Sequence, residues 1–236
     1  MNGVRAAARL HFTKKEMTFL VPLYITGVTA VITVLISLVF WRAGSTIGSE
    51  AWVNGSRTNA GMAWGLAGFL TYMGVQSVAT TFPFALTLGS TRRAFVSGTL
   101  LWAAGTAVYL TAVITALAVL ELATGHWFVG FYIFDVYTLG SGELARLIPT
   151  VFLGSLFCLT VGALFGASWV RFGSRGPLLL GAGLIILTLT VLVVTLPFLT
   201  ASIADFQLWW LAAIATAAIA LAALTTVPVL RSAVVR

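Results

Sequence analysis

The stretch 171-RFGSRGPLLLGAGLIILTLTVLVVTLPFLT-200 decides the fold. It opens with a basic turn, Arg171 to Gly176. It then runs through 24 residues, Pro177 to Thr200, without one Asp, Glu, Lys, Arg or His. At roughly 1.5 Å of rise per residue, such a run crosses the ~30 Å hydrocarbon core of a bilayer as a tilted helix. Pro177 stands where a helix can begin, because the first turn does not need the missing N–H. Five further apolar stretches read the same way: Met17 to Trp41, Gly61 to Thr87, Ala94 to Leu120, Leu147 to Val170 and Gln207 to Leu230. The expected fold is all-α, a polytopic membrane protein with six transmembrane helices.

The residue balance agrees. Of 236 residues, 60% are hydrophobic and 8% charged, and the mean hydropathy is +1.05. A soluble domain carries about 25% charged residues. A chain this apolar has too few polar groups to cover itself in water, so lipid is its solvent. The net charge of +7 does not imply nucleic acid as a partner, since no basic face interleaved with stacking aromatics is present.

The charges sort to alternate ends of the spans. Arg5, Arg9, Lys14, Lys15, Arg92, Arg93, Arg171, Arg175, Arg231 and Arg236 fall on one side, and Arg42, Arg57 and Arg146 on the other. Of the six acids only Glu16 joins the basic side. The positive-inside rule then places both termini in the cytoplasm. The expected organisation is an amphipathic inner-surface helix over 1–16, one six-helix transmembrane domain over 17–230, and a cytoplasmic tail over 231–236. No cleavable signal peptide is evident in the polar, basic start. Lysine occurs only at Lys14 and Lys15, and the chain is rich in Ala, Gly, Val and Thr. This points to a GC-rich bacterial genome and so to a bacterial plasma membrane.

Between the third and fourth spans lies an aromatic segment, Trp127 to Tyr137, too short to cross and expected as an interfacial or re-entrant piece at the outer surface. A short outer loop, Ala201 to Phe206, joins spans five and six. Gly61, Gly65 and Gly68 on the second span, and Gly162 and Gly166 on the fourth, have the spacing of helix-packing seams. Cys158 lies in an apolar run as a small buried hydrophobe.

Several chemistries are excluded. His11 and His126 stand far apart and neither faces a serine nucleophile. There is no H-E-x-x-H helix, no metal-ligand spacing and no acid pair on one helix face. The phosphate-cradling G-x-x-x-x-G-K-[ST] loop is absent, so this chain does not hydrolyse ATP. No acid, histidine or arginine occupies a span centre, which argues against ion-coupled transport. The strongest mid-span polar feature is Tyr72, Gln76 and Thr80, a stripe at helical spacing that lines a pathway or bonds a neighbouring helix.

The segment 82-FPFALTLGSTRRAFVSG-98 joins spans two and three on the inner side. It resembles the permease subunits of ABC-2 type transporters, in which an apolar run reaches a G-x-[ST]-R-[RK]-x-[FY] turn and then a glycine in the next span. A basic amphipathic start, six spans and both termini inside are also features of that family. The short loop between spans five and six departs from it, because many ABC-2 exporters carry re-entrant helices there. The resemblance implies that the turn forms a coupling helix against an ATP-binding subunit, with Gly89, Ser90, Thr91, Arg92, Arg93 and Phe95 as contacts. It implies ATP and Mg on that partner, no cofactor in this chain, and a second six-helix permease subunit, identical or related. An amphipathic or hydrophobic cargo (a peptide, an antibiotic or a lipid) is the expected export substrate. The alternative is a membrane binding or immunity protein that sequesters a hydrophobic ligand without pumping.

Overall fold

Small residues decide which helices of this chain can touch. In the computed structural model, which describes residues 2–201 and 207–232, the closest helix pair is α4 (Gly61–Ala79) and α7 (Leu144–Phe172). A Cβ built on Gly162 would lie 2.9 Å from Gly74 Cα and 3.0 Å from Val75 N. One on Gly166 would sit 3.1 Å from Val78 Cβ and would also clash with Val75 O. The backbones are in direct van der Waals contact, the closeness that glycine alone permits in lipid. The fourth-span glycines therefore form a seam as expected. Their partner is Gly74, and not the Gly61, Gly65 and Gly68 row. Gly61 and Gly65 lie beside Thr29, and nothing stands within 4 Å of a Cβ on Gly68.

Around this pair sit α1 (Asn2–Thr13), α2 (Val21–Arg42), α3 (Glu50–Arg57), α5 (Thr81–Thr87), α6 (Arg92–Ala123), α8 (Arg175–Ala201) and α9 (Leu208–Arg231). A π-helical turn, Glu16–Leu20, feeds α2. There is no strand among the described residues. Of the described helices five are long and apolar enough to cross a membrane, those spanning Glu16–Arg42, Arg92–Ala123, Leu144–Phe172, Arg175–Leu196 and Trp209–Arg231. The chain is thus a multi-pass membrane protein. Met1, Ser202 to Phe206 (nearly all of the expected loop between the last two spans) and Ala233 to Arg236 of the expected tail lie outside the described residues.

The expected second span, Gly61 to Thr87, is two helices. The helix breaks at Thr80, and α5 restarts with Pro83 in its first turn. Proline cannot donate to a carbonyl one turn back, which favours a break just before it. The 19 residues of α4 remain, and α4 is not one of the five helices above.

The bundle is ordered by side-chain type in the manner lipid demands. Its core is Met62, Leu70, Trp102, Leu110, Ile114 and Leu159 from α4, α6 and α7. Leu, Ile and Val side chains cover the exposed faces of α2 and α8. On α2 the buried residues are Pro22, Thr26, Thr33 and Ser37. Thr26 donates to Pro22 O (2.8 Å) and Ser37 to Thr33 O (2.9 Å) within the helix, while Thr33 Oγ1 accepts from Asn59 Nδ2 (3.1 Å). On α8 Gly176 is buried and Pro177, Leu180, Gly181 and Thr195 are half-buried, while Ala182 to Val194 are exposed.

The N-terminal helix differs from expectation in its surroundings. It covers Asn2–Thr13 and packs on the first half of α6, burying Ala7, Ala8 and His11. Gly98 makes this possible, because a Cβ there would stand 2.6 Å from Ala7 Cβ and 2.8 Å from Ala8 N. The chain thus has a basic end, with α1, Arg92, Arg93, Arg171, Arg175 and Arg231, and an aromatic end, with α3 and residues 126–139.

Candidate functional site

At the basic end the 80–98 segment forms a knuckle. After α5, Gly89 takes a left-handed conformation (φ +78°) that L side chains resist. Thr91 then caps α6, its Oγ1 accepting from Ala94 N at 3.2 Å. Ser90 is half-buried and its hydroxyl has no hydrogen-bond partner. Two of the expected partner contacts are occupied inside the chain. Arg92 Nη1 donates to Leu230 O at 2.7 Å and to Arg231 O, capping the carbonyl end of α9. Phe95 is fully buried, 5.1 Å from the Phe82 ring and 5.6 Å from His11. The face that reaches solvent is Phe84, Leu88, Gly89, Thr91 and Arg93.

The stripe on α4 is real but closed on itself. Gln76 Nε2 donates to Tyr72 OH at 3.1 Å, and Thr80 Oγ1 donates to Gln76 O at 2.8 Å. Tyr72 and Thr80 are exposed. Among the described residues the stripe has no hydrogen bond to a neighbouring helix.

Beside the knuckle, His11 holds α1 to α6. Its Nε2 lies 2.9 Å from Thr99 Oγ1, and its ring stacks 5.0 Å from Trp102. The Thr99 proton goes to Phe95 O (3.0 Å), which leaves the ring as the donor. Burial, with a smaller contribution from Lys14, lowers the His11 pKa from 6.5 to about 4. The folded-state value lies below the unfolded one, so the unfolded chain takes up the proton first. The contribution to stability is complete above about pH 6.5 and falls away as pH drops toward 4. The expected result is a wild-type melting temperature that declines over this window more steeply than that of His11→Gln. Parallel pH profiles for the two proteins would refute a titrating His11.

The aromatic end carries the chemistry that reading side chains in order misses. Glu121, the last acid of α6, is fully buried. Its carboxylate accepts from Trp127 Nε1 (3.1 Å) and from the backbone N–H groups of Ile133 (3.2 Å), Phe134 (2.8 Å) and Asp135 (3.1 Å). Residues 131–135 curl around the acid as a nest of amides, a geometry that favours an anion. The chain reaches this wrap through left-handed backbone at Gly125, His126, Trp127, Phe128 and Gly130. The expected interfacial segment is therefore a folded cap.

Asp135 ties the cap to α3. Arg57 Nη2 donates to Asp135 Oδ2 at 2.6 Å, and His126 Nε2 lies 2.9 Å from the same oxygen. Trp52 Nε1 donates to Gly130 O (2.9 Å), and Tyr137 OH donates to Asn54 Oδ1 (3.1 Å). The hydrogen bond to Asp135, opposed by burial, raises the Arg57 pKa above its already high ordinary value. Among the described residues no three His, Cys, Asp or Glu side chains are grouped to hold a metal. The arrangement clamps the 126–137 segment to α3.

The fold and these two ends define a multi-pass membrane protein with a knuckle at one end and a clamped cap at the other. No known family model, curated protein or solved structure matches the chain.

Proposed function

We propose that this chain is the membrane subunit of an ABC-2-like exporter in a bacterial plasma membrane. In this reading α4 and α5 together complete a sixth crossing, and the basic end with both termini is cytoplasmic. The observation that carries the proposal is the knuckle: α5 and the turn after it present Phe84, Leu88 and Arg93 on a stalk tied to α9 through Arg92. An ATP-binding subunit seated on that surface would move α4, α6 and α9 together. In this reading the energy source is external, since this chain has neither a phosphate loop nor an acid, histidine or arginine at mid-span. ATP and Mg belong to the partner. A second copy, or a related six-span subunit, meets the loosely packed faces of α2 and α8, and an amphipathic or hydrophobic cargo passes between them.

The test is purification of the tagged chain from its native membrane in mild detergent, with mass spectrometry of what accompanies it. A P-loop ATPase is expected, and Arg93→Glu should reduce its recovery at least about tenfold, the effect of setting a charge against its own sign at a rim. Arg92→Glu differs, since it uncaps α9 and lowers the melting temperature as well. Recovery of the chain with a peptide or lipid and no ATPase would move the function to sequestration of a hydrophobic ligand.

A further inference from the structure

A cleft of about 640 Å³ lies at the aromatic end, between the last turns of α2 and the segment running through α3. That volume is within the roughly 300–1,000 Å³ of small-molecule sites. Its lining is unusual for a membrane protein, with hydroxyls or amides from Thr33, Ser37, Thr46, Ser49, Ser56 and Asn59 and no ionisable side chain. The nearby cation is committed elsewhere, because Arg57 faces Asp135.

Among the described residues Thr33, Ser37 and Ser49 each make one side-chain hydrogen bond and keep an unused position, Asn59 makes two, its Oδ1 accepting from Gly61 N at 2.8 Å, and the Thr46 and Ser56 hydroxyls make none. Asn59 Nδ2 donates to Thr33 Oγ1 at 3.1 Å, which leaves the Thr33 proton and the second amide N–H of Asn59 free. Ser37 donates to Thr33 O at 2.9 Å and keeps its lone pairs. Ser49 accepts from Trp52 N at 3.2 Å and keeps its proton. The cleft therefore offers donors and acceptors side by side. Carboxylates and phosphates only accept and ammonium groups only donate, so each would use only part of this mixed set of positions. A hydroxyl both donates and accepts. Phe40 and Ile36 complete one wall and are exposed toward the lipid face of α2. They supply the flat apolar contact that a sugar ring or an alkyl chain needs.

We propose that this cleft binds a neutral, polyhydroxylated group, carried as the head group of a lipid or as a free sugar. The proposal is independent of any ATP-binding partner.

The experiment uses the full chain in lipid nanodiscs and an alkyl glucoside with a diazirine in its alkyl chain, with labelled residues mapped by mass spectrometry. Labelling is expected within residues 33–59. Octyl glucoside below its micelle concentration should suppress it about tenfold more than octyl phosphate does, the worth of one well-made hydrogen bond. Competition by free glucose at the same concentration assigns the site to a soluble sugar, and its absence assigns it to a lipid head group. Thr46→Trp, at an exposed rim position, should abolish labelling without moving the melting temperature. Labels spread over all lipid-facing helices, equal competition by octyl phosphate, or full labelling of Thr46→Trp would each overturn the proposal.

Discussion

Glu121→Ala is expected to lower stability by on the order of 3–5 kcal/mol and to open the cap. Four donors converge on this carboxylate, three of them consecutive backbone N–H groups at residues 133–135. Removing the acceptor leaves each donor short of a partner, at about 1–3 kcal/mol for every one that stays buried. The cap lies at the end of the bundle, so some donors recover water, and the total is less than the sum. Glu121→Gln keeps one carbonyl oxygen but turns an amide N–H₂ toward N–H groups, so its loss is intermediate. Two readouts separate local from global effects. Amide exchange at residues 133–135 should accelerate by orders of magnitude in Glu121→Ala, while the melting temperature falls. Unchanged exchange at those amides would mean the carboxylate does not hold the wrap. The clamp should fail in turn, because Asp135 sits on the same five-residue curl and presents its Oδ2 to Arg57 from there.

The second large effect is expected at the glycine seam. Gly162→Val places side-chain carbons against Thr71 O, Gly74 Cα and Val75 N, all of them backbone atoms on a rigid helix. No rotamer change relieves such a clash, so α4 and α7 must separate along their whole contact. Overpacking in a core that can adjust costs typically ~1–3 kcal/mol, and here the core cannot adjust. The expected outcome is loss of the monodisperse folded peak on size exclusion. Two positions serve as controls on the same helices. A Cβ on Gly68 of α4 or Gly154 of α7 meets nothing within 4 Å. Gly68→Ala and Gly154→Ala should be neutral or slightly stabilising, by up to about 1 kcal/mol from helix propensity. Equal behaviour of Gly162→Val and Gly154→Ala would dismiss the seam.

These two sites mark where reading the sequence works and where it stops. The four-residue repeat of Gly162 and Gly166 announced a seam, because close approach in lipid needs small residues at that period. It did not announce Gly74, which stands alone among larger neighbours, as the other side. The alternation of arginines gave both ends of the bundle, since charge placement is a property of single residues. The break at Thr80 had one local signal, Pro83, and a continuous apolar run concealed it. Glu121 was legible only as the acid that closes a span. Its partners are mostly backbone amides, and a backbone donor has no signature in the residue types. Arg92 is the converse, a residue expected to face a partner subunit, but its acceptors, Leu230 O and Arg231 O, lie within the chain on α9, 138 and 139 positions away. The docking of α1 on α6 needed Gly98, which the motif contained, but only the three-dimensional contact explains why glycine is required there.

The helix α8 is covered by the rest of the chain mainly near its start, at Gly176, Pro177, Leu180 and Gly181, and is exposed from Ala182 to Val194. A rod pinned at one end and free along the rest takes its angle from the medium around it. The tilt of α8 is thus a function of bilayer thickness, at a cost of fractions of a kcal/mol per Å of mismatch. Thin membranes tip it toward the plane and thick ones draw it upright, while the α4–α7 core keeps its shape. The angle of α8 against the rest of the bundle becomes a quantity that lipid chain length can tune.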